Sequence, residues 1–305
     1  MKKFLTLILV LTVIAASAQE RVANNIKAIN HGPAACPSLV MTPVDNTTTF
    51  PNDLIESILG DDIQSYTLTN YIGYYYAPYA SAGLFTGGTG ASLGIEDGIV
   101  LCSGVISNAI GPNSDDGISA DLPIPGDADL SLITGGTTND ATVLEFDFVP
   151  NFNTLYIQYV FGSDEYNEYV FAYNDVFAFF LNGTNIAKIP STNIPVSIDN
   201  INLINNPSYY KNNDYGDLYP GPYPYCTEMD GMTKVLVAQA SVNKGQTNHI
   251  KLAVADALDS ALDSFVFIKG ESFGGDNPVP VSNWALFIGI GLILVFAIVR
   301  FRKVF

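Results

Sequence analysis

Between Cys36 and Gly275 the chain has no arginine and only six lysines, set against 28 aspartates and glutamates, a formal charge of −22. A region so poor in cations cannot hold a polyanion, which excludes nucleic acid and anionic headgroups as its partners. Tryptophan is confined to Trp284, so no indole platform for sugar rings is available in the body of the chain. Histidine is confined to His31 and His249, and no H-E-x-x-H, G-x-S-x-G or Cys/His pairing is found. The three cysteines, Cys36, Cys102 and Cys226, have no zinc-like spacing, and an odd count leaves at least one unpaired. Long apolar runs occur only at the two ends.

At the first end, Lys2 and Lys3 precede an apolar run over 4–15 and the small-x-small triplet Ala16, Ser17, Ala18. This is the pattern of a secretory signal peptide over 1–18, and the absence of a cysteine after the cut argues against a lipoprotein. Export places the cysteines in an oxidising compartment. Cys36 and Cys226, both in Pro-rich context, are the expected disulfide, whereas Cys102 lies in the apolar run I-V-L-C and is expected to be a buried thiol. At the other end, P-V-P-V-S-N at 278–283 leads into an apolar stretch at 284–299 and a basic cluster with Arg300, Arg302 and Lys303. Counted from Val281 the stretch covers about 28 Å as a helix, just enough for a bilayer core. A transmembrane helix over 284–305 with a basic cytoplasmic tail is expected. The tail resembles the tripartite sorting signals of bacterial surface proteins, with 280–284 in the motif position, which implies processing by a sorting transpeptidase. The layout is then a signal peptide at 1–18, a lead-in at 19–45, one domain at 46–275, a linker at 276–283 and the anchor.

Within the domain, Pro51, Leu54, Ile55, Ile58 and Leu59 recur at helical spacing before Gly60, and predict one short helix. Runs rich in Val, Ile, Phe and Tyr predict strands at 63–76, 95–103, 142–148, 154–161 and 176–181. Asn182 and Gly183 predict a tight turn into a strand at 186–189. A hairpin of 233–242 with 249–255 and a last strand at 265–269 complete the set. The glycine-rich run 87–90 lacks the lysine of a phosphate loop and reads as a turn. Long loops are expected at 108–136 and at 205–226, the second carrying Tyr209, Tyr210, Tyr215, Tyr219, Tyr223 and Tyr225, the residue type that recognition surfaces favour. Scarce helix and turn-rich connections predict an all-β fold, an antiparallel, jelly-roll-like β-sandwich with one short helix.

The segment 159–183 places Asp164, Glu165, Glu168, Asn174 and Asp175 in a loop between two aromatic strands. Calcium takes six to eight oxygens from carboxylates, amides and carbonyls, and such a loop can wrap them around one point, although no EF-hand spacing is present. A second acidic segment at 255–264 places Asp256, Asp259 and Asp263 at i, i+3 and i+7, on one face of any helical turn there. Like charges so gathered need something positive: a cation, or backbone amides. Calcium held by these eight residues is one reading; capping and solvated acids are another. A third pairs Asp164 or Glu165 with Asp256 or Asp259 as the carboxylates of a glycosidase.

Seven ordered strings resemble the choice-of-anchor L domain of bacterial surface proteins: G-I-V-L-C-S-G at 98–104, N-A-I-G-P-N at 108–113, G-D-A-D-L at 126–130, D-A-T-V-L-E-F-D-F at 140–148, Y-V-F-G-S-D-E-Y-N-E-Y at 159–169, N-D-V-F-A-F-F-L-N-G at 174–183 and H-I-K-L-A-V-A-D at 249–256. The resemblance implies a surface-exposed β domain displayed on an anchor and supplies no catalytic residue. The expectation is an exported, membrane-anchored binding or adhesion module for an extracellular glycan or protein, calcium-stabilised and not an enzyme. A glycoside hydrolase and a structural surface-layer component are the alternatives.

Overall fold

The computed structural model describes residues 36–37, 39–214 and 225–275. The expected signal peptide, most of the lead-in, the linker and the apolar tail lie outside them, as do Tyr215, Tyr219 and Tyr223. Among the described residues no helix is long and apolar enough to cross a membrane.

In chain order the elements are β1 (Val40–Pro43), α1 (Pro51–Ile58), β2 (Ile63–Ile72), β3 (Tyr75–Tyr76), β4 (Tyr79–Ala80), β5 (Ala82–Thr86), β6 (Asp97–Cys102), α2 (Ala128–Thr134), β7 (Thr138–Pro150) and β8 (Thr154–Ser163). They continue with β9 (Val176–Leu181), β10 (Thr184–Asn185), β11 (Tyr210–Asn212), β12 (Gly231–Thr233), β13 (Leu236–Ser241), β14 (Asn248–Ala257) and β15 (Ser264–Lys269). An eight-stranded antiparallel sheet runs β1-β5-β6-β15-β8-β12-β11, with β13 beside β12 on the same edge of β8. A five-stranded antiparallel sheet runs β10-β9-β14-β7-β2.

The two sheets stack because their strands alternate. Leu155, Ile157, Tyr159 and Phe161 of β8 share one buried core with Phe177 and Phe179 of β9 and Ile250, Leu252 and Val254 of β14. Aromatic rings bridge the layers, with Tyr159 and Phe177 centroids 5.2 Å apart and Phe161 stacked on Phe177 at 5.0 Å. The intervening residues of the eight-stranded sheet, Val160, Phe265 and Phe267 among them, pack under the loops on its outer side with Cys102, Met229 and Met232. This sandwich is the expected architecture.

Several local expectations give way to non-local pairing. Two short helices are present rather than one: in the expected loop at 108–136, the Asp127 carboxylate accepts from the Asp129 and Leu130 amides and Gly135 turns out at φ +73°, so the chain closes into α2. The expected hairpin does not form. β13 pairs with β8 in one sheet and β14 lies between β9 and β7 in the other, so 242–247 carries the chain across the sandwich. β5 and β1 arise in stretches expected to be turn and lead-in, and after Asn182 and Gly183 the strand is only Thr184–Asn185. Asp256, Asp259 and Asp263 do not share a helix: pairing draws Asp256 into β14, and Leu258 and Leu262 have left-handed φ.

Candidate functional site

The register of β8 explains where the acids meet. Ser163, its last residue, pairs with Gly231 of β12 on one side and with Ser264 of β15 on the other. The residues just beyond, Asp164, Asp230 and Asp263, therefore stand in a row at one end of three adjacent strands, roughly 4.8 Å from strand to strand. The Asp164 amide donates to the Asp263 carbonyl at 3.2 Å. The other sheet repeats the arrangement: Ala255 pairs with Val176, which sets Asp256 opposite Asp175. Asp164, Glu165, Asp175, Asp230, Asp256 and Asp263 are all buried, forming a belt of carboxylates across one end of the sandwich.

Burial on this scale is costly for charged groups. Both oxygens of Asp164 and both of Asp256 are buried with no hydrogen-bond partner, as are Glu165 Oε2, Asp230 Oδ2 and the Asn113 amide oxygen. At the margin of hydrogen-bond geometry, the Asp230 amide faces Asp164, and the Ser103 hydroxyl and the Asp175 carboxyl face Asp256. Burial, reinforced by Asp230, Asp263 and Glu228, raises Asp164 well above the usual carboxylate range. Burial and then Asp175 raise Asp256. Glu165 is pushed up to about 10 by burial and then by Asp175, Asp259 and Glu168. Asp230 reaches about 9, from burial and the charges of Asp214, Glu168 and Asp116. Asp175 reaches about 7, chiefly from burial, and Asp263 about 6 for the same reason. Among the described residues, ion pairs are made by His249 with Glu145 and Asp147 and by Lys251 with Asp127 and Asp129, none of them in the belt.

The eight residues singled out from sequence have different roles. Asp164, Glu165, Asp175 and Asp256 come together in the belt. Asp175 is engaged by the Ala257 amide at 2.9 Å and the Ser264 hydroxyl at 2.7 Å. Asp263 clasps the loop after β6, accepting from the Val105 amide, the Asn108 side chain and the Ala120 amide. Glu168 is half-buried and close enough to raise both Glu165 and Asp230. Asp259 is half-buried in the turn after β14, where its side chain accepts from the Ala261 amide at 3.4 Å. Asn174 faces elsewhere, its side-chain oxygen accepting from the Asp199 amide at 3.1 Å.

Sequence reading missed Asp230 and Glu228, and placed Asn113 only among the polar residues of the long loop at 108–136. Asn113 donates to Asp230 Oδ1 at 2.7 Å and to the Asn213 carbonyl at 2.9 Å. Glu228 Oε1 accepts from Ser114 and the Asp115 amide. The only local signal was a pair of acids, Glu228 and Asp230, directly before a glycine-led strand, at the end of a loop more conspicuous for its tyrosines. Among the described residues no group of three or more Asp, Glu, His or Cys side chains is arranged so that it could hold a metal ion. The disulfide Cys36–Cys226 is present, with Cα atoms 5.2 Å apart, and fastens the segment that delivers Glu228 and Asp230. Cys102 is the buried free thiol.

Comparison with known families gives one match, the Choice-of-anchor L domain model, over residues 43–274. The chain belongs to the choice-of-anchor L domain family. The match takes in the five-stranded sheet, the eight-stranded sheet except for most of β1, both helices and the whole belt. No curated protein and no solved structure matches the chain at a significant level. The choice-of-anchor L domain implies a surface or anchored protein, and the disulfide is in keeping with export.

Proposed function

We propose that this choice-of-anchor L domain is an exported, surface-displayed binding module, acting in adhesion rather than catalysis, with calcium bracing its loop end. The observation that carries the reading is the state of Asp164: both carboxylate oxygens are buried with no hydrogen-bond partner, in a belt that no lysine or arginine neutralises among the described residues. A hard divalent cation supplies what oxygen-only surroundings lack. The same carboxylates are enclosed rather than open to a cleft, which favours a bound cation over the paired carboxylates of a glycosidase. Exposed aromatics, including Tyr75, Tyr76 and Tyr79 on the small hairpin and Phe171 beyond the belt, provide contact area for an extracellular glycan or protein. The tether in this reading is the apolar segment 284–305, retained in the membrane or exchanged by a sorting transpeptidase.

Calcium at a hundred times its Kd would stabilise the fold by about 2.7 kcal/mol, a rise of roughly 5–10 °C in Tm for a domain of this size. Thermal melts of the exported chain in calcium and in EDTA test this, and coincident melts would sink the calcium brace. Glycan-array and cell-binding assays with and without chelator test the adhesion, whose loss in EDTA is the expected result.

A further inference from the structure

We infer that the hairpin β3–β4 is the sugar-contact platform of this domain, with the rings of Tyr76 and Tyr79 stacking on the rings of an uncharged glycan. The inference rests on the adhesion reading above and gives it a site and a ligand class.

Register gives the hairpin one open side. Tyr76 stands directly opposite Tyr79, and Tyr75 opposite Ala80. Successive residues of a strand leave it on opposite sides, so Tyr76 and Tyr79 share one side of the ribbon and Tyr75 and Ala80 the other. Ala80 is buried, which turns its side toward the body of the domain and the tyrosine pair toward solvent, where Tyr76 is 71% and Tyr79 51% exposed. Directly opposed side chains start about 5 Å apart at Cβ, so the two rings are neighbours. The base of the hairpin is held by both sheets. The Tyr74 amide donates to the Ser81 hydroxyl at 2.8 Å, and the Ser81 amide donates to the Tyr74 carbonyl at 3.0 Å. Ser81 is fully buried: its carbonyl accepts from the Cys102 amide of β6 at 2.8 Å, and its hydroxyl lies 2.7 Å from the Thr142 hydroxyl of β7. A lone two-stranded hairpin is marginal in water, and this anchorage presents the tyrosines already ordered, so little freedom is lost on binding.

Charge decides what the rings can take. From 63 to 95 the chain has no Asp, Glu, Lys, Arg or His, whereas the domain around that stretch carries −22. The hairpin therefore has no side chain of its own to pair an ionic group, and the field of the domain repels an anionic one. What remains is a ligand with hydroxyls and C–H faces but no charge, and tyrosine offers such a ligand a ring face and a hydroxyl together. Size separates a glycan from a protein. A standard protein interface takes about 800 Å² from each partner. Tyr76, Tyr79 and the 38% exposed Tyr75 offer roughly 300 Å² between them, which suits a few sugar rings.

Affinity electrophoresis of the exported chain in calcium tests this, with neutral α-glucan, β-glucan, mannan and galactan set against anionic alginate and polygalacturonate. Retention by at least one neutral polysaccharide and by neither anionic one is expected. Tyr76→Ala and Tyr79→Ala should each weaken that retention about tenfold or more, because each removes a stacking ring. Tyr76→Phe and Tyr79→Phe keep the rings and should keep most of the binding, and all four variants should melt with the parent because both positions are exposed. Neutral-glycan binding that survives the double substitution Tyr76→Ala with Tyr79→Ala overturns the platform while leaving the adhesion reading standing. Binding confined to anionic polysaccharide, or to cells stripped of their glycans, overturns the ligand class. No binding to any of the six polysaccharides or to cells overturns both the inference and the adhesion reading.

Discussion

At the residue scale the belt makes stability depend on protons as well as cations. Glu165, Asp230 and Asp175 have folded-state pKa values of about 10, 9 and 7, all above their ordinary range because burial disfavours the charged form. The folded chain therefore holds protons that the unfolded chain releases near pH 4, and stability falls as pH rises from there through 7 to 10. Asp45 acts in the opposite sense: amides of Thr47, Thr48 and Thr49 hold its carboxyl well below the usual range, so its contribution is lost only in acid. The EDTA-treated chain is expected to melt at a lower temperature at pH 8 than at pH 5.5. Calcium should close most of that gap, because a cation replaces the protons. A chelated chain whose Tm is flat or rising over this interval would show that the belt is not desolvated as described.

At the scale of elements, α2 depends on one buried cation. Lys251 of β14 is nearly buried beneath it, donating to Asp127 at 2.5 Å and to Asp129 at 2.8 Å, with its ammonium over the Phe180 ring. Asp127 is also the N-cap of the helix. Asp127→Ala removes the cap and half the partners of a buried cation. A loss of about 1–3 kcal/mol is expected in denaturant melts, larger than for Asp129→Ala, whose side chain is more exposed. Elements show how sequence legibility varies. β8, β9 and β15 are readable because they are continuous apolar runs; α2 is short, and its cap and glycine stop stand inside a polar stretch that local pattern reads as loop. The hairpin expected of 233–242 with 249–255 was plausible from adjacency, yet each strand found a better buried face in a different sheet.

At the scale of the whole molecule, the disulfide joins residues 190 apart in sequence, from the start of the described chain to the segment that brings Glu228 and Asp230 to Asp164. Closing so long a loop restricts the unfolded chain, and removing the bond from an exported domain costs about 2–5 kcal/mol. Cys36→Ser with Cys226→Ser is expected to lower stability by that amount in denaturant melts, and an unchanged midpoint would show that the bond does not brace the fold. Cys102, buried and with its thiol pushed up chiefly by burial, should remain unreactive to alkylating reagents until the sandwich unfolds. An equally labile Cys102 in folded and unfolded protein would contradict that packing.

By itself the sequence determined the β-sandwich class, most strand cores, the pairing of Cys36 with Cys226, the family, and the concentration of acids in 164–175 and 256–263. These follow from local periodicity, turn residues and composition, which act over a few neighbours. Only the tertiary structure decided which acids meet. Asp164 gains Asp230 as a neighbour, and through it Asn113, because β8 pairs with β12 and β15, whose Gly231 and Ser264 lie 68 and 101 residues beyond their partner Ser163; such pairing is chosen by the burial of whole sheet faces, which no window of sequence contains.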